Sequence, residues 1–397
     1  YPMLREDLVA GTSSESKYLH EVTIRLDSFS GYAGLRTSEF RKDLQGQGIK
    51  LQLEDDGADY GARTKALQRG DAQLAVFTID AFVSSGAARG EFPGTIVMVI
   101  DETYGADAIV AYKSAVPNLQ ALNNADAQLV LTPGSPSEFL GRVAIAEFGL
   151  NDLSTKWVEA DGASQVFKQL RKDKQSLKRG YVLWEPFKSQ ALEDKAVHVL
   201  FDTSRVSGYV VDVLVAQRQF LLDHPDVVRS VVEAQLRTMD SYQGRLVQLV
   251  IDDAKRTGDS LSQAQAQKVV DGIRWRNTLE NYTHFGLAPP APGILLLEDS
   301  ISNIADVLVR TGGLGEDPVA GRANELFYQG TLQEMKGSDF HPQKKLGIVD
   351  GALGTGDLDS VAGEAELRGL TSAEWEQLTP VGSMQVKAIS FGRGTAR

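Results

Sequence analysis

Cysteine is absent from this 397-residue sequence, which rules out disulfides, thiolate nucleophiles and every metal site built on sulfur. The compartment stays open, since a cysteine-free chain suits cytosol and periplasm equally. Long apolar runs are also missing: the longest, TIVMVI near Thr95 and GILLLE near Gly293, fall far short of the ~20 residues a membrane helix needs. Basic charge is in deficit. With 41 Lys and Arg against 53 Asp and Glu, the net charge is -12, and nucleic acid, whose phosphates reward clustered cations, is not an expected partner. Histidine is scarce, and His20, His198, His224, His284 and His341 show no HExxH or other ligand spacing, so no metal site is expected. Neither a G-x-S-x-G elbow nor a Walker A sequence occurs, and GALGTGD near Gly351 lacks the strand and helix a dinucleotide site requires. The opening YPMLREDLVAG carries no initiator methionine and no basic-then-apolar pattern, so no targeting signal can be read there.

What is present is an ordinary globular composition, 42% hydrophobic and 24% charged, at a length that predicts two or more packed lobes. From Glu21 the periodicity switches repeatedly. VTIRL alternates, SEFRKDLQGQG is helical, IKLQLED alternates again, ADYGARTKALQRG reads as a helix ending at Gly70, and AQLAVFTID is an apolar strand. GTIVMVID and GADAIVAYKS are expected to complete this first sheet by about Tyr112. A second α/β unit runs from AQLVL through the helix EFLGRVAIAEFG, KWVEA, SQVFKQLRKDKQ and YVLWEP to AVHVLFD, ending near Asp202. From Val211 onward the expectation is mainly helix, with Pro225 at a helix start. After about Lys336 a Gly- and Asp-rich segment reads as linker, and the last stretch, MQVKAISF, as the opening strand of a domain cut short.

Four loops at predicted strand ends are candidates for a ligand cleft, because open α/β sheets bind where helix N-termini and strand ends meet. In FSGY, Ser30 and Tyr32 offer a hydroxyl and a ring; a glycine-rich connection with a half-buried tyrosine fits equally. In FTIDAF, Thr78 and Asp80 close a buried strand, and Asp80 either meets a ligand or caps the next helix. In TPGSPSEF, Ser135, Pro136 and Glu138 match a capping box, a sufficient structural role, while Ser135 and Ser137 at the helix start also suit an anionic ligand group. In YVLWEPF, Trp184 and Glu185 stand at a strand rim, Trp184 as core or as a ligand wall.

In their order along residues 20 to 335, FSGYAGL, LQRGDAQLAVFTIDAF, YVLWEPF and YVVDVLVAQRQFLLDHPDVVRSVVEAQ resemble type II periplasmic solute-binding proteins of the nitrate, sulfonate and taurine ABC-transporter group. The resemblance implies a two-lobed α/β fold, each lobe a mainly parallel sheet flanked by helices. Residues 1–112 plus 203–335 would form lobe 1, residues 113–202 lobe 2, and residues 336–397 a linker and the start of a truncated C-terminal domain. It places the cleft at Ser30, Tyr32, Thr78, Asp80, Ser135, Ser137, Trp184 and Glu185, with no catalytic residue, metal or cofactor. It implies a periplasmic protein capturing a small metabolite for an ABC permease or for wall-tethered sensing. Asp80 and Glu185 depart from an oxyanion site and favour an amine-bearing or zwitterionic ligand. The same fold also serves enzymes, or an envelope protein whose cleft is not functional. The tail resembles the start of an outer-membrane-protein-A-like peptidoglycan-binding domain through Ile389, Phe391, Gly394 and Ala396.

Overall fold

The computed structural model describes residues 18–342, apart from 207, 339 and 341. The tail motif and His341 lie outside the described residues.

Eleven strands occur among them: β1 His20–Leu26, β2 Ile49–Asp55, β3 Leu74–Thr78, β4 Gly94–Thr103, β5 Ala108–Tyr112, β6 Gln128–Leu131, β7 Val158–Glu159, β8 Arg179–Leu183, β9 Val197–Asp202, β10 Val211–Gln217 and β11 Ile273–Trp275. They make two sheets, ordered β11-β4-β10-β3-β1-β2 and β7-β6-β8-β5-β9. In the first, β1 pairs parallel with β2 and β3, while β10 runs antiparallel between β3 and β4. In the second, β6 pairs parallel with β7 and β8, and β5 runs antiparallel between β8 and β9. Each sheet therefore has one dominant strand direction; β5 and β10, where the chain passes between sheets, run against it, as does the edge strand β11, antiparallel to β4.

The expected β-α-β-α-β opening is present because its local signals agree. Thr37 caps the helix Ser38–Gly46 by accepting from Phe40 N, and Asp59 caps Tyr60–Arg69 by accepting from Ala62 N. Gly70 ends the latter in the left-handed region, which glycine enters without a Cβ clash. The strands β3 and β4 are buried along their whole length, as strands covered on both faces must be.

Two expectations need correction. Ala108–Tyr112 belongs to the second sheet, not the first, so the crossing lies at residues 104–107 rather than near Tyr112. An apolar run specifies burial, but which sheet buries it depends on partners distant in sequence. The segment from Val211, expected to open the helical portion, is instead β10 at the centre of the first sheet. Its Val211, Val213 and Val215 are β-branched and stiff, and they pack as a strand enclosed on both faces.

The two crossings are tied together. Thr103 N donates to Val210 O at 3.1 Å, Thr203 N to Asp107 O at 3.1 Å, and Gly105 N to the Thr203 hydroxyl at 2.7 Å. This places the ends of β3, β4 and β10 opposite the ends of β6 and β8.

Candidate functional site

The centre of the site follows from strand register. On β10, Asp212 lies directly across from Thr78 on β3 and from Asp101 on β4. All three are at most 2% exposed. Tyr32 comes from a 3-10 helix, Ser30–Arg36, rather than from a flexible loop; its hydroxyl donates to Asp212 Oδ1. Arg36 holds the start of that segment by donating to the carbonyls of Asp27 and Phe29 and pairing with Asp253 at 2.6 Å. Gly31 is required there: a Cβ would collide with Asp101 Oδ2 and the Phe29 ring.

Beside this centre, Asp27 accepts from Arg63 at 3.0 Å, and Arg63 also pairs with Asp56 and donates to Val76 O. The guanidinium lies 4.8 Å from the Tyr60 ring centroid. On the facing side stand Ser135 and Pro136 at the start of the helix Pro136–Phe148, Trp184 just past β8, and Asp107 at the crossing. Between these walls is a cleft of about 420 Å³, part of it open to solvent, lined by polar groups and by the rings of Phe29, Tyr32, Tyr60 and Trp184.

The electrostatics are unusual. Burial lifts the Asp107 carboxyl to about 6, with the Thr103 hydroxyl close enough to temper the rise without completing a hydrogen bond of ordinary geometry. Burial, then the neighbouring Asp101 charge, pushes Asp212 well above the usual carboxylate range. Asp101 is raised to about 8, by burial first. Several lining atoms have no hydrogen-bond partner among the described residues: Asp212 Oδ2, Asp107 Oδ2 and the hydroxyls of Thr78 and Thr103.

Of the residues expected from sequence, Tyr32, Thr78, Ser135 and Trp184 line the cleft together. Asp80 is buried in the first turn of the helix Ile79–Arg89, behind the lining, where burial raises its carboxyl to about 7. Ser30 is half-buried at the start of its 3-10 helix. Ser137 donates its hydroxyl to Val182 O at 3.3 Å. Glu185 accepts from Ser189 N at 3.1 Å and from the Ser189 hydroxyl at 3.0 Å, and pairs with Lys188 at 3.5 Å, so its carboxylate serves a local helix start. The sequence reading missed Asp27, Tyr60, Thr103, Asp107 and Asp212. For Asp212 and its partner Asp101 a signal existed: each is a lone acid in or at the end of an apolar, β-branched run, VVDVLV and TIVMVID, and a buried carboxylate needs a partner.

The sequence matches no family profile and no curated protein. Its fold does match solved structures. The Candida albicans CA3427 gene product, described as having the generic periplasmic binding protein fold, superposes with TM-score 0.58 at 12% identity, over 78% of this chain and 95% of that one. The alkanesulfonate-binding protein SsuA from Xanthomonas axonopodis pv. citri, bound to MOPS, gives 0.58 at 16% identity over 76% and 97%. The periplasmic nitrate-binding protein NrtA from Synechocystis PCC 6803 gives 0.56 at 10% over 80% and 88%. With two sheets joined by paired crossings and a cleft at their facing strand ends, the chain has the periplasmic-binding-protein fold.

Proposed function

We propose that the protein is a periplasmic solute-binding protein: it captures a small polar metabolite bearing an amine, alone or in a zwitterion, for ABC-type uptake through a permease or for sensing. In this reading the lobes are residues 20–103 with 211–335, around the first sheet, and residues 108–202, around the second. They close on the ligand by bending at the paired crossings. Binding rather than turnover is the role, so the ligand leaves chemically unchanged. Wall tethering would run through the segment beyond residue 342.

One observation carries this reading. Four buried oxygens that make no hydrogen bond of ordinary geometry among the described residues belong to Thr78, Thr103, Asp107 and Asp212, which line one cleft together with aromatic side chains. Leaving a buried polar group unsatisfied costs ~1–3 kcal/mol. A ligand that satisfies them offsets that cost.

Native mass spectrometry of freshly purified protein, followed by a thermal-shift screen of amines, amino acids, sulfonates and oxyanions, tests the proposal. A retained small molecule, or a compound that raises Tm by preferential binding to the folded state, is the expected result. No retained mass and no shift with any compound would overturn it.

A further inference from the structure

We propose that the ligand is a small organic cation with no acidic group: a decarboxylated amine, a guanidine or a quaternary ammonium, rather than an amino acid, a sulfonate or an oxyanion. The assignment rests on the reading of the cleft as a solute site and narrows what that site accepts.

The first argument is the charge of the lining. Asp27, Asp107 and Asp212 contribute carboxyls, and neither lysine nor arginine lines the cleft. The buried cations nearby are already engaged. Arg63 is held by Asp27 and Asp56, Lys188 by Glu185 and the Gly105 carbonyl, and Arg276 by Glu102 and Glu280. An acidic group on the ligand would find no free counter-charge in the lining.

The second argument is the helix start at the cleft, the feature best suited to receive an anion. Its own cap takes up several of these donors. Pro136 has no N–H, Ser137 N donates to Ser135 Oγ at 3.2 Å, Gly134 N donates to Glu138 Oε2 at 2.8 Å, and Phe139 N donates to Ser135 O at 3.2 Å. Glu138 also puts a carboxylate in the first turn. An acidic ligand end facing Ser135 therefore finds fewer free donors than an uncapped helix start would offer.

The third argument is what the unpartnered atoms ask for. Asp107 and Asp212 line the cleft, are 5% and 1% exposed, and each has a buried oxygen that accepts no hydrogen bond of ordinary geometry. A carboxylate oxygen needs a donor, and an ammonium or guanidinium supplies donors together with the counter-charge that lets a buried carboxyl ionise. The Thr78 and Thr103 hydroxyls add acceptors beside them. The rings of Tyr32, Tyr60 and Trp184 line the cleft, and an aromatic face attracts a desolvated cation, although Arg63 already lies over the Tyr60 ring. No three or more of these acids converge as ligands of a metal ion among the described residues, so an organic cation fits the spread of acceptors better than a bare one.

The test uses matched pairs that share a cationic group and differ in acidity: agmatine against arginine, cadaverine against lysine, choline against betaine, with taurine and nitrate alongside. Calorimetric titration of the full chain should show at least one acid-free member binding tenfold or more tightly than its acidic counterpart. Asp212→Asn and Asp107→Asn should each weaken that compound at least tenfold, with the fold intact by circular dichroism. If arginine, lysine, betaine, taurine or nitrate binds as tightly as the acid-free compounds, the class assignment is wrong while the capture reading survives. If no amine binds, the class assignment again falls. Silence across every compound, with nothing retained in native mass spectrometry, brings down the capture reading as well.

Discussion

Asp80→Asn is expected to flatten the pH dependence of stability by one proton. Asp80 is 3% exposed in the first turn of the helix Ile79–Arg89, and its Oδ1 has no hydrogen-bond partner. Burial lifts its carboxyl from 3.8 to about 7; the Thr78 hydroxyl and the first-turn amides restrain the rise, and the Asp107 charge adds to it. The folded value lies above the unfolded one, so the folded state keeps a proton that the unfolded chain releases. That contribution to stability is complete below the unfolded value and is lost as pH rises through the folded one. The slope is ~1.4 kcal/mol per pH unit for one proton, which gives roughly 2 kcal/mol lost between pH 5 and pH 7. Asparagine keeps the shape and cannot ionise. Urea denaturation at pH 5, 6 and 7 should show the wild type losing stability relative to the variant by about that amount, a shift visible in the midpoint. Parallel profiles for the two proteins would refute the reasoning, since they would mean Asp80 is already ionised in the folded protein at pH 5.

Other substitutions probe the walls and their supports. Trp184→Ala should weaken the tightest cation in the titrations above by ~1–3 kcal/mol while leaving Tm within a degree or two, because the ring is half-buried and faces the cleft; unchanged affinity would remove Trp184 from the site. Arg63→Ala strands Asp27 and Asp56 without their partner and should cost ~3–5 kcal/mol by urea denaturation. Arg63→Lys should recover only part of that loss, since an ammonium cannot span the same acceptors. Gly31→Ala drives a methyl into Asp101 and Phe29 and should destabilise by ~1–3 kcal/mol, read as a lowered Tm; a neutral result would mean the Ser30–Arg36 segment shifts freely.

The opening of the first sheet was legible because its signals are local: alternation in VTIRL and IKLQLED, the Thr37 and Asp59 caps, and Gly70 at a helix end. Tyr32, Thr78, Ser135 and Trp184 were legible for a related reason, since a strand end followed by a polar or aromatic residue can be read without knowing the strand's neighbours. Glu185 and Ser137 looked equally exposed to a ligand, yet their bonds go to Ser189 and Val182. Local capping and backbone contacts competed for the same groups and won. The membership of Ala108–Tyr112 and the strand identity of Val211–Gln217 were not legible, because both depend on pairing across a hundred residues or so. The acidic centre was lost with them: Asp212 matters only once β10 lies between Thr78 and Asp101.

That insertion of β10 also fixes an order of assembly. Strands β3 and β4 are complete by Thr103, yet neither bonds to the other; each waits for a strand that ends at Gln217. At ~5–20 residues per second on the ribosome, the intervening 114 residues, from 103 to 217, take roughly 6 to 23 s to emerge. Throughout that interval two strands destined for complete burial present open edges to whatever else is nearby. The second sheet, contained within residues 108 to 202, can be finished in the meantime. The first half to be translated is therefore the last to close, and the strand that closes it brings Asp212 with it, so the acidic floor of the cleft forms in the same step as the sheet.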